Sequence, residues 1–582
     1  MALTIRRRIS FISLALLALW VGKIMAGFMM SSQPFLVYGS FPEQVLEHTA
    51  AQNFVHRGFL RTAFLADYST SPNELDHPYL YTHMPSGPAV ALGALFKCGA
   101  DLLQARFFFA SLSLLGALLF FWLILEVTGV PEIALVLFII YSFDYGGFIK
   151  WSDHFTHSFY GIDYFGPLLF YLRFLKKNST ANLIVFALCI ALGALTNYIA
   201  ALPALIAIAA LHLIFHRDSR DSKKLMGYAF GAFGAILTLH LLQNALALGV
   251  KLTVKELLST LGNRMLGWPP KTALANLYAR HKIVLWGADR PPPGWWRWLS
   301  TAFAHPVFKT WAGWLMLLEA CALILGIIEP KPSARFRPIG LASVIFLAPY
   351  SWYLVFVSHG SIYPLPFVHR FFSIGLLMTA LYLLYLGILD LWAHRPGPAT
   401  AKTAFYRNPL SRLAFLTLGI GLFLTAANSR IKENSRAYGM DILDRFTKHW
   451  EIALISTPSI DQYERLGNLL SNQVLLTNMD GTITNFFAPR ALVFGGCRSD
   501  AFLLFNAANC PSTFLDEKTK EALRPDSVLI SYKFIPGYQE CTSAACLDAL
   551  LAKLKKSYVL RAQEKDAWVL FDIPKNVGGA RH

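Results

Sequence analysis

The chain has 582 residues, of which 55% are apolar and 15% charged, and its mean hydropathy is +0.44. Soluble domains carry about a quarter charged residues, so this composition argues against a single soluble core and indicates a polytopic membrane protein. The net charge of +17 does not indicate nucleic-acid binding. The basic residues cluster in short connections between apolar runs, where they act as topogenic charge.

The first apolar run follows Arg6, Arg7 and Arg8. It is about 20 residues long, which exceeds the apolar region of a typical signal peptide, and no clear small-residue cleavage site follows it. We therefore predict a retained first membrane helix whose amino terminus faces the cytoplasm.

Hydropathy windows of about 19 residues predict about eleven membrane spans. These spans lie near 11–30, 103–127, 132–150, 157–175, 182–197, 198–215, 226–248, 309–328, 338–357, 369–393 and 411–427. With the amino terminus inside, the basic connections fall on the cytoplasmic side, as the positive-inside rule requires. Those connections are "RFLKKNST", "HRDSRDSKK", "EPKPSARFRP" and "AHRPGPATAKTAFYRNPLSR".

This topology predicts two domains: a helical membrane domain over 1–427 and a soluble extracytoplasmic domain over 428–582. Within the membrane domain, the connections 31–102 and 249–308 also face outward. A connection of about 60 residues in a compact protein is usually functional or has structure of its own.

The first outward loop holds two carboxylates one helical turn apart, Glu43 and Glu47, in "PEQVLEHTAAQNFVHRGFL". A helical wheel places both with Ala50 and Phe54 on the less polar side, and His48 on the other side. Carboxylates aimed inward from a membrane-surface helix are costly and by default mark a functional site. The alternative is that Glu43 only complements the positive end of the helix dipole.

Prolines interrupt the next stretch, "DHPYLYTHMPSGPAVALGALFKCG". Its final apolar part is too short to span a membrane, so we predict a second interfacial helix there. His77 and His83 are candidates to bind phosphate or orient a substrate, although a histidine in a loop more often does neither.

Two further clusters are predicted on the outward face. Asp153 and His154 lie in the short loop after the third span, where acids and cations suit an anionic substrate, with an ordinary polar turn as the alternative. His369 and Arg370 lie where the tenth span begins. Arg370 can snorkel to the membrane surface or grip a phosphate, because its planar fork matches phosphate oxygens.

Residues 428–582 alternate β-type runs with turn residues, and "CLDALLAKLKKSYVL" predicts a helix followed by a strand. We therefore predict a small α/β domain. Its four cysteines predict up to two disulfides with three possible pairings, or alternatively four unpaired thiols in a cytoplasmic domain. They are Cys497, Cys510, Cys541 and Cys546, and the spacing of the last two does not favour zinc.

The arrangement resembles the GT-C glycosyltransferases of the protein O-mannosyltransferase and aminoarabinose-transferase superfamily. Five segments carry the resemblance: the Glu43 helix ending at Gly58, the Pro-rich turn with its apolar helix, "QARFFFASLSLLGALLFFWLILEVTG" with Arg106, "GALTNYIAALPALIAIAALHLIF" and "VHRFFSIGLL". The resemblance covers roughly the first 215 residues well and 338–393 loosely.

The resemblance implies an inverting membrane glycosyltransferase that takes a sugar from a polyprenyl-phosphate donor and passes it to a lipid, glycan or protein acceptor. It also implies a location in a bacterial inner or plasma membrane, no cofactor and no nucleic-acid partner. Whether a divalent cation binds stays open. Counting back from Gly58, Glu43 falls at the family's catalytic Asp, and Asp153 at its second acid. Because Glu replaces Asp, either Glu43 or Glu47 can be the base. His77 stands where some relatives have a phosphate-gripping Lys.

The remaining cations are candidates to contact the donor phosphate or the substrate. The candidate phosphate and substrate contacts are His77, His83, Arg106, His154, Arg264, Lys271, Arg280, His369 and Arg370. Two rival functions stay open at this point, a multi-span secondary transporter and a non-catalytic envelope assembly protein. The absence of an internal repeat in the sequence disfavours the transporter.

Overall fold

A computed structural model gives the structure of the protein. It describes residues 41–68, 80–143, 155–196, 198–266, 337–351, 366–392, 421, 469–470, 474–477, 492–494, 525–531, 544–564 and 568–574. The predicted spans near 11–30, 309–328 and, apart from residue 421, 411–427 lie outside these residues.

The first part of the chain folds into helices. They are α1 (Phe41–Arg57), α2 (Gly87–Lys97), α3 (Leu102–Thr128), α4 (Pro131–Phe143), α5 (Tyr160–Lys176), α6 (Thr180–Thr196), α7 (Tyr198–Phe215), α8 (Arg220–Leu248), α9 (Val250–Leu266), α10 (Arg337–Leu347) and α11 (Pro366–Trp392). Each predicted span that the structure describes at least in part overlaps one of α3 to α8, α10 or α11, although 132–150 and 338–357 extend beyond the described residues. The narrow boundary at "LTNYIAALP" is confirmed, because a Cβ added to Gly193 near the end of α6 would lie 3.3 Å from the Cβ of Ala201 near the start of α7.

Two of the described helices are long and apolar enough to cross a membrane, judged by length and composition alone. They are the stretch Gln104–Thr128 of α3, with 25 residues, and α8, with 29 residues. Other described helices are apolar but shorter. The total of eleven spans therefore stays a prediction.

The helices approach one another closely at glycines. A Cβ added to Gly116 of α3 would lie 2.8 Å from the Cα of Gly161, just inside α5. A Cβ on Gly166 would lie 2.8 Å from Sγ of Cys189 on α6. Small residues at such contacts let helix backbones pack directly, as is common between membrane helices.

The contacts at the helix ends define two opposite ends of the bundle. At one end, Phe109 near the start of α3 packs against Phe155, with ring centroids 4.7 Å apart. At the same end, Gly87 meets the carbonyl of Leu195 near the end of α6, and Thr82 bonds to the last part of α8. We call this the first-loop end, because the described parts of the first outward loop lie there.

The other end of the bundle is basic. Lys176 near the end of α5 pairs with Glu126 near the end of α3 at 2.6 Å, and Asn178 bonds Asp221 at the start of α8 at 3.1 Å. Described basic residues there are Arg173, Lys176, Lys177, Arg217, Arg220, Lys223, Lys224 and Arg337. Helices α3, α5 and α7 therefore run from the first-loop end to the basic end, and α6 and α8 run back, as the predicted topology requires. Which end faces the cytoplasm stays a prediction.

The described residues of the C-terminal part form a five-stranded sheet and one helix. The elements are β1 (Val474–Thr477), β2 (Leu492–Phe494), β3 (Ser527–Ser531), α12 (Ala544–Ser557), β4 (Val559–Glu564) and β5 (Trp568–Asp572). The strand order is β2-β1-β3-β5-β4, with β2, β1 and β3 parallel and the β3–β5 and β5–β4 pairs antiparallel. The helix-then-strand prediction is thus confirmed by α12 and β4.

Leu475, Val528 and Leu570 of this sheet and Leu554 of α12 are fully buried, so the helix and the sheet each contribute to an apolar core. Cys497, Cys510 and Cys541 lie outside the described residues, and Cys546 lies on α12. The two disulfides and the domain boundary at 428 therefore stay predictions.

Candidate functional site

The helix with the predicted acids, α1, is enclosed rather than lying on the surface. Ala50, Ala51 and Phe54 are buried to 0%, 0% and 1% exposure. They meet α2 at Gly93, where an added Cβ would come within 3.1 Å of Phe54 Cβ and 3.2 Å of the Ala51 carbonyl oxygen. Small residues on both helices permit this close crossing, which fixes α1 against the second predicted interfacial helix.

Glu47 is buried, with 7% of its surface exposed, as the helical wheel predicted. Removing a carboxylate from water costs several kcal/mol unless it is compensated, so its position is a functional indicator. Glu43 lies one turn earlier on α1, but its side chain lies outside the described residues.

Two further polar residues of this region are buried. Arg106, near the start of α3, is 3% exposed, and His48 is 8% exposed with its ring edge against Phe96 of α2. Burial first, and then the positive charge of Arg106, lower the pKa of His48 to about 3. The imidazole is therefore neutral near pH 7. The helical wheel had placed His48 on the more polar side of α1, and the structure buries His48 on that side too.

A buried ion pair fixes the carboxyl end of α1. Arg57 pairs with Asp67, and the two side chains are 3% and 1% exposed. Asn53 donates to the backbone carbonyl of Asp67 at 2.7 Å, and the Ala66 amide donates to Oγ of Ser86 at 2.7 Å. These bonds hold the end of α1, the segment with Ala66 and Asp67, and the start of α2 together.

The segment before α2 is attached to α8. His240 Nε2 and Asn244 Nδ2 both contact the carbonyl oxygen of Thr82, at 3.0 and 3.2 Å. The predicted site residue His83 is next in sequence, half-buried, with its ring edge against Tyr81. His83 is thus held at the first-loop end of the bundle.

A further buried carboxylate, Asp163 in the first turn of α5, was not among the predicted site residues. It is fully buried, and Thr196 Oγ1 donates to its Oδ2 atom. Its Oδ1 atom has no hydrogen-bond partner among the described residues. Gly193 leaves room for it, since an added Cβ there would lie 3.1 Å from Asp163 Cβ. The sequence does contain an indication of this site, because Asp163 is an acidic residue inside an otherwise apolar span.

Asp163 belongs to the first-loop end, because its partner Thr196 lies there. A Cβ on Gly87 would come within 2.5 Å of the Leu195 carbonyl oxygen and 3.5 Å of the Thr196 Cα. The start of α2 therefore packs against Leu195 and against Thr196, which donates to Asp163.

The other predicted site residues cannot be placed by their side chains. Asp153, His154, His77, Lys271 and Arg280 lie outside the described residues, whereas Arg264, His369 and Arg370 are described only as backbone positions, on α9 and α11. Phe155, two residues after Asp153, is 1% exposed and packs on Phe109, which is three residues after Arg106 on α3. Within the described part of the chain, no group of three His, Cys, Asp or Glu could hold a metal ion.

The chain has a distant structural likeness to known proteins. No family model and no curated protein matches the chain. Among solved structures it is similar to the archaeal oligosaccharyltransferase AglB from Archaeoglobus fulgidus, in complex with an inhibitory peptide and a dolichol-phosphate. The identity is 12%, the TM-score is 0.39, and the match covers 93% of this chain and 72% of that chain. At these values the likeness identifies neither site residues nor an activity.

Proposed function

We propose that the protein is a membrane glycosyltransferase of the GT-C type, which transfers a sugar from a polyprenyl-phosphate donor to an acceptor at the first-loop end. The observation that supports this most is the buried group at that end: the carboxylate of Glu47, the neutral imidazole of His48 and the guanidinium of Arg106. Such a group can bind an anionic ligand and accept a proton.

The reaction is a displacement at the anomeric carbon with inversion. A carboxylate takes the proton of the acceptor as the new bond to the sugar forms. The bond to the phosphate breaks, and the negative charge that grows on the phosphate oxygen is stabilised by a buried cation. Glu43 is the proposed base by its register from Gly58, and Glu47 is its substitute. Arg106 is the proposed phosphate contact.

The second acid has two candidates. Asp153 is favoured by its register in the family pattern. Asp163 is favoured by its full burial and by the Oδ1 atom that lacks a hydrogen-bond partner among the described residues. We assign the role of orienting the acceptor to one of them, and the variants below separate the two.

The donor is a lipid because the site lies at membrane depth and nucleotide sugars are absent outside the cell. His77, Arg370 and the long outward connection with Arg264, Lys271 and Arg280 complete the proposed phosphate contacts. The sugar and the acceptor are not assigned, and neither is the role of the C-terminal domain.

The test is release of free polyprenyl phosphate by the purified full-length protein from a panel of polyprenyl-phosphate sugars. Glu43→Gln and Glu47→Gln are compared, and the variant of the true base loses at least about a hundredfold in rate. Asp153→Asn and Asp163→Asn separate the second acids in the same way. Asp218→Asn, an exposed acid at the basic end, is the matched control and retains full activity.

Release from none of the donors would contradict the proposal. Asp163 then favours a second function, because a buried acid within a span also suits a proton-coupled transporter. In that case proteoliposomes show uptake driven by a pH gradient, and Asp163→Asn abolishes it. A non-catalytic assembly protein predicts that all four acid variants keep their function.

A further inference from the structure

Helix α9 presents a continuous apolar stripe on its exposed side. Val250, Val254, Leu257, Leu258 and Leu261 are all exposed, Val250 to 69% and Leu258 to 59%. Their spacing of four, three, one and three residues places them on one face of an α-helix. This face is therefore built to contact something apolar.

A different side of α9 is the buried one, and Leu252, which lies opposite the stripe, is also 38% exposed. Thr253 and Glu256 are only 7% and 6% exposed, so the helix packs on the protein through polar residues and turns its leucines outward. A surface helix of a soluble protein has the reverse arrangement, because an exposed apolar patch is unfavourable in water.

Cations border the apolar stripe. Lys251 and Lys255 are exposed, one turn apart, along one edge of the stripe. By helical register Arg264 lies at the other edge. An apolar face bordered by basic residues is the pattern of a helix that lies in a membrane surface and contacts acidic headgroups.

The candidate span before α9, α8, also exposes leucines. Leu239, Leu242 and Leu246 of this candidate span are exposed, whereas His240 and Asn244, on its other side, hold Thr82 of the first loop. Helix α8 ends at Leu248, the φ of 81° at its C-cap Gly249 permits a sharp turn, and α9 begins at the next residue.

We propose that α9 lies in the headgroup region of the leaflet at the first-loop end, with its apolar stripe in the acyl chains and Lys251 and Lys255 on acidic phospholipids. The helix thereby holds the start of the long outward connection at a fixed depth. This inference does not depend on the proposed enzymatic activity.

The test is photo-crosslinking of the full-length protein in vesicles that mix acidic and zwitterionic phospholipids. A benzophenone amino acid replaces Leu258, with Leu242 of α8 as the site deeper in the lipid and Lys553 of α12 as the soluble control. Both leucine sites crosslink to lipid. Acidic lipid is enriched about fivefold at Leu258 relative to Leu242.

The combined variant Lys251→Gln and Lys255→Gln abolishes this enrichment while crosslinking to lipid persists. Crosslinks from Leu258 mainly to another segment of the chain, such as 267–336, or to a second copy would overturn the proposal. Equal crosslinking to both lipid classes in the unmodified protein would overturn the assignment of an acidic surface.

Discussion

His48 links the stability of the first-loop end to pH. Burial and the charge of Arg106 lower its pKa to about 3, whereas the unfolded chain keeps an ordinary pKa of about 6.5. Between these values the unfolded state binds a proton that the folded state does not bind. Stability is therefore fully present above about pH 6.5 and falls by up to about 1.4 kcal/mol for each pH unit below it.

The variant His48→Gln should remove this part of the acid sensitivity, because glutamine does not titrate. The measurement is the thermal unfolding midpoint of the detergent-purified protein between pH 7 and pH 4.5. His56→Gln, at an exposed position on the same helix, is the control and should keep the slope of the unmodified protein. Identical slopes for the two variants would show that His48 is not the titrating group.

For single residues, the sequence predicts burial only in part. The burial of Glu47 could be predicted because a helical wheel compares the two faces of one helix. The burial of His48 could not, since it depends on Phe96 and Arg106, which come from two other helices. Asp163 was overlooked because a hydropathy window averages over its apolar neighbours and hides a single acid.

At the scale of elements, the sequence predicts the type and position of each helix or strand better than the contacts between them. The break between α6 and α7 and the helix-strand pair α12 and β4 are confirmed, because local pattern decides them. Which helices touch is a different question. The approach of α3 to α5 depends on Gly116 meeting Gly161, a pairing that no periodicity in either segment contains.

That glycine contact gives a prediction for helix packing. In Gly116→Ala the new Cβ would lie 2.8 Å from a backbone atom of Gly161, and backbone cannot move aside as a side chain can. Overpacking of this kind costs about 1–3 kcal/mol, so the thermal unfolding midpoint should fall. Gly231→Ala on α8 is the matched control, since its added Cβ meets nothing within 4 Å. An equal effect of the two variants would contradict the close contact.

At the scale of the whole molecule, one carbonyl ties the first loop to the bundle. Thr82, which is 7% exposed, accepts bonds from His240 and Asn244, and the Arg57–Asp67 pair fixes the same loop to α1. The buried acid of α1 is therefore positioned by contacts that reach as far as α8. The sequence predicted that the loop and the end of α8 share one face, but not the atoms that join them.

The bond at Thr82 can be removed in two steps. Asn244→Leu alone leaves the carbonyl bonded to His240, so we expect a loss of only about 1 kcal/mol. Adding His240→Phe leaves a buried carbonyl without a donor, which costs about 1–3 kcal/mol more. Hydrogen exchange of the amides in 80–86 should then rise about tenfold, while amides at the basic end, in 173–176, keep their rates.

Thr238→Val, a substitution at an exposed position of α8, is the control. Unchanged exchange in the double variant would mean that other contacts hold the first loop in place.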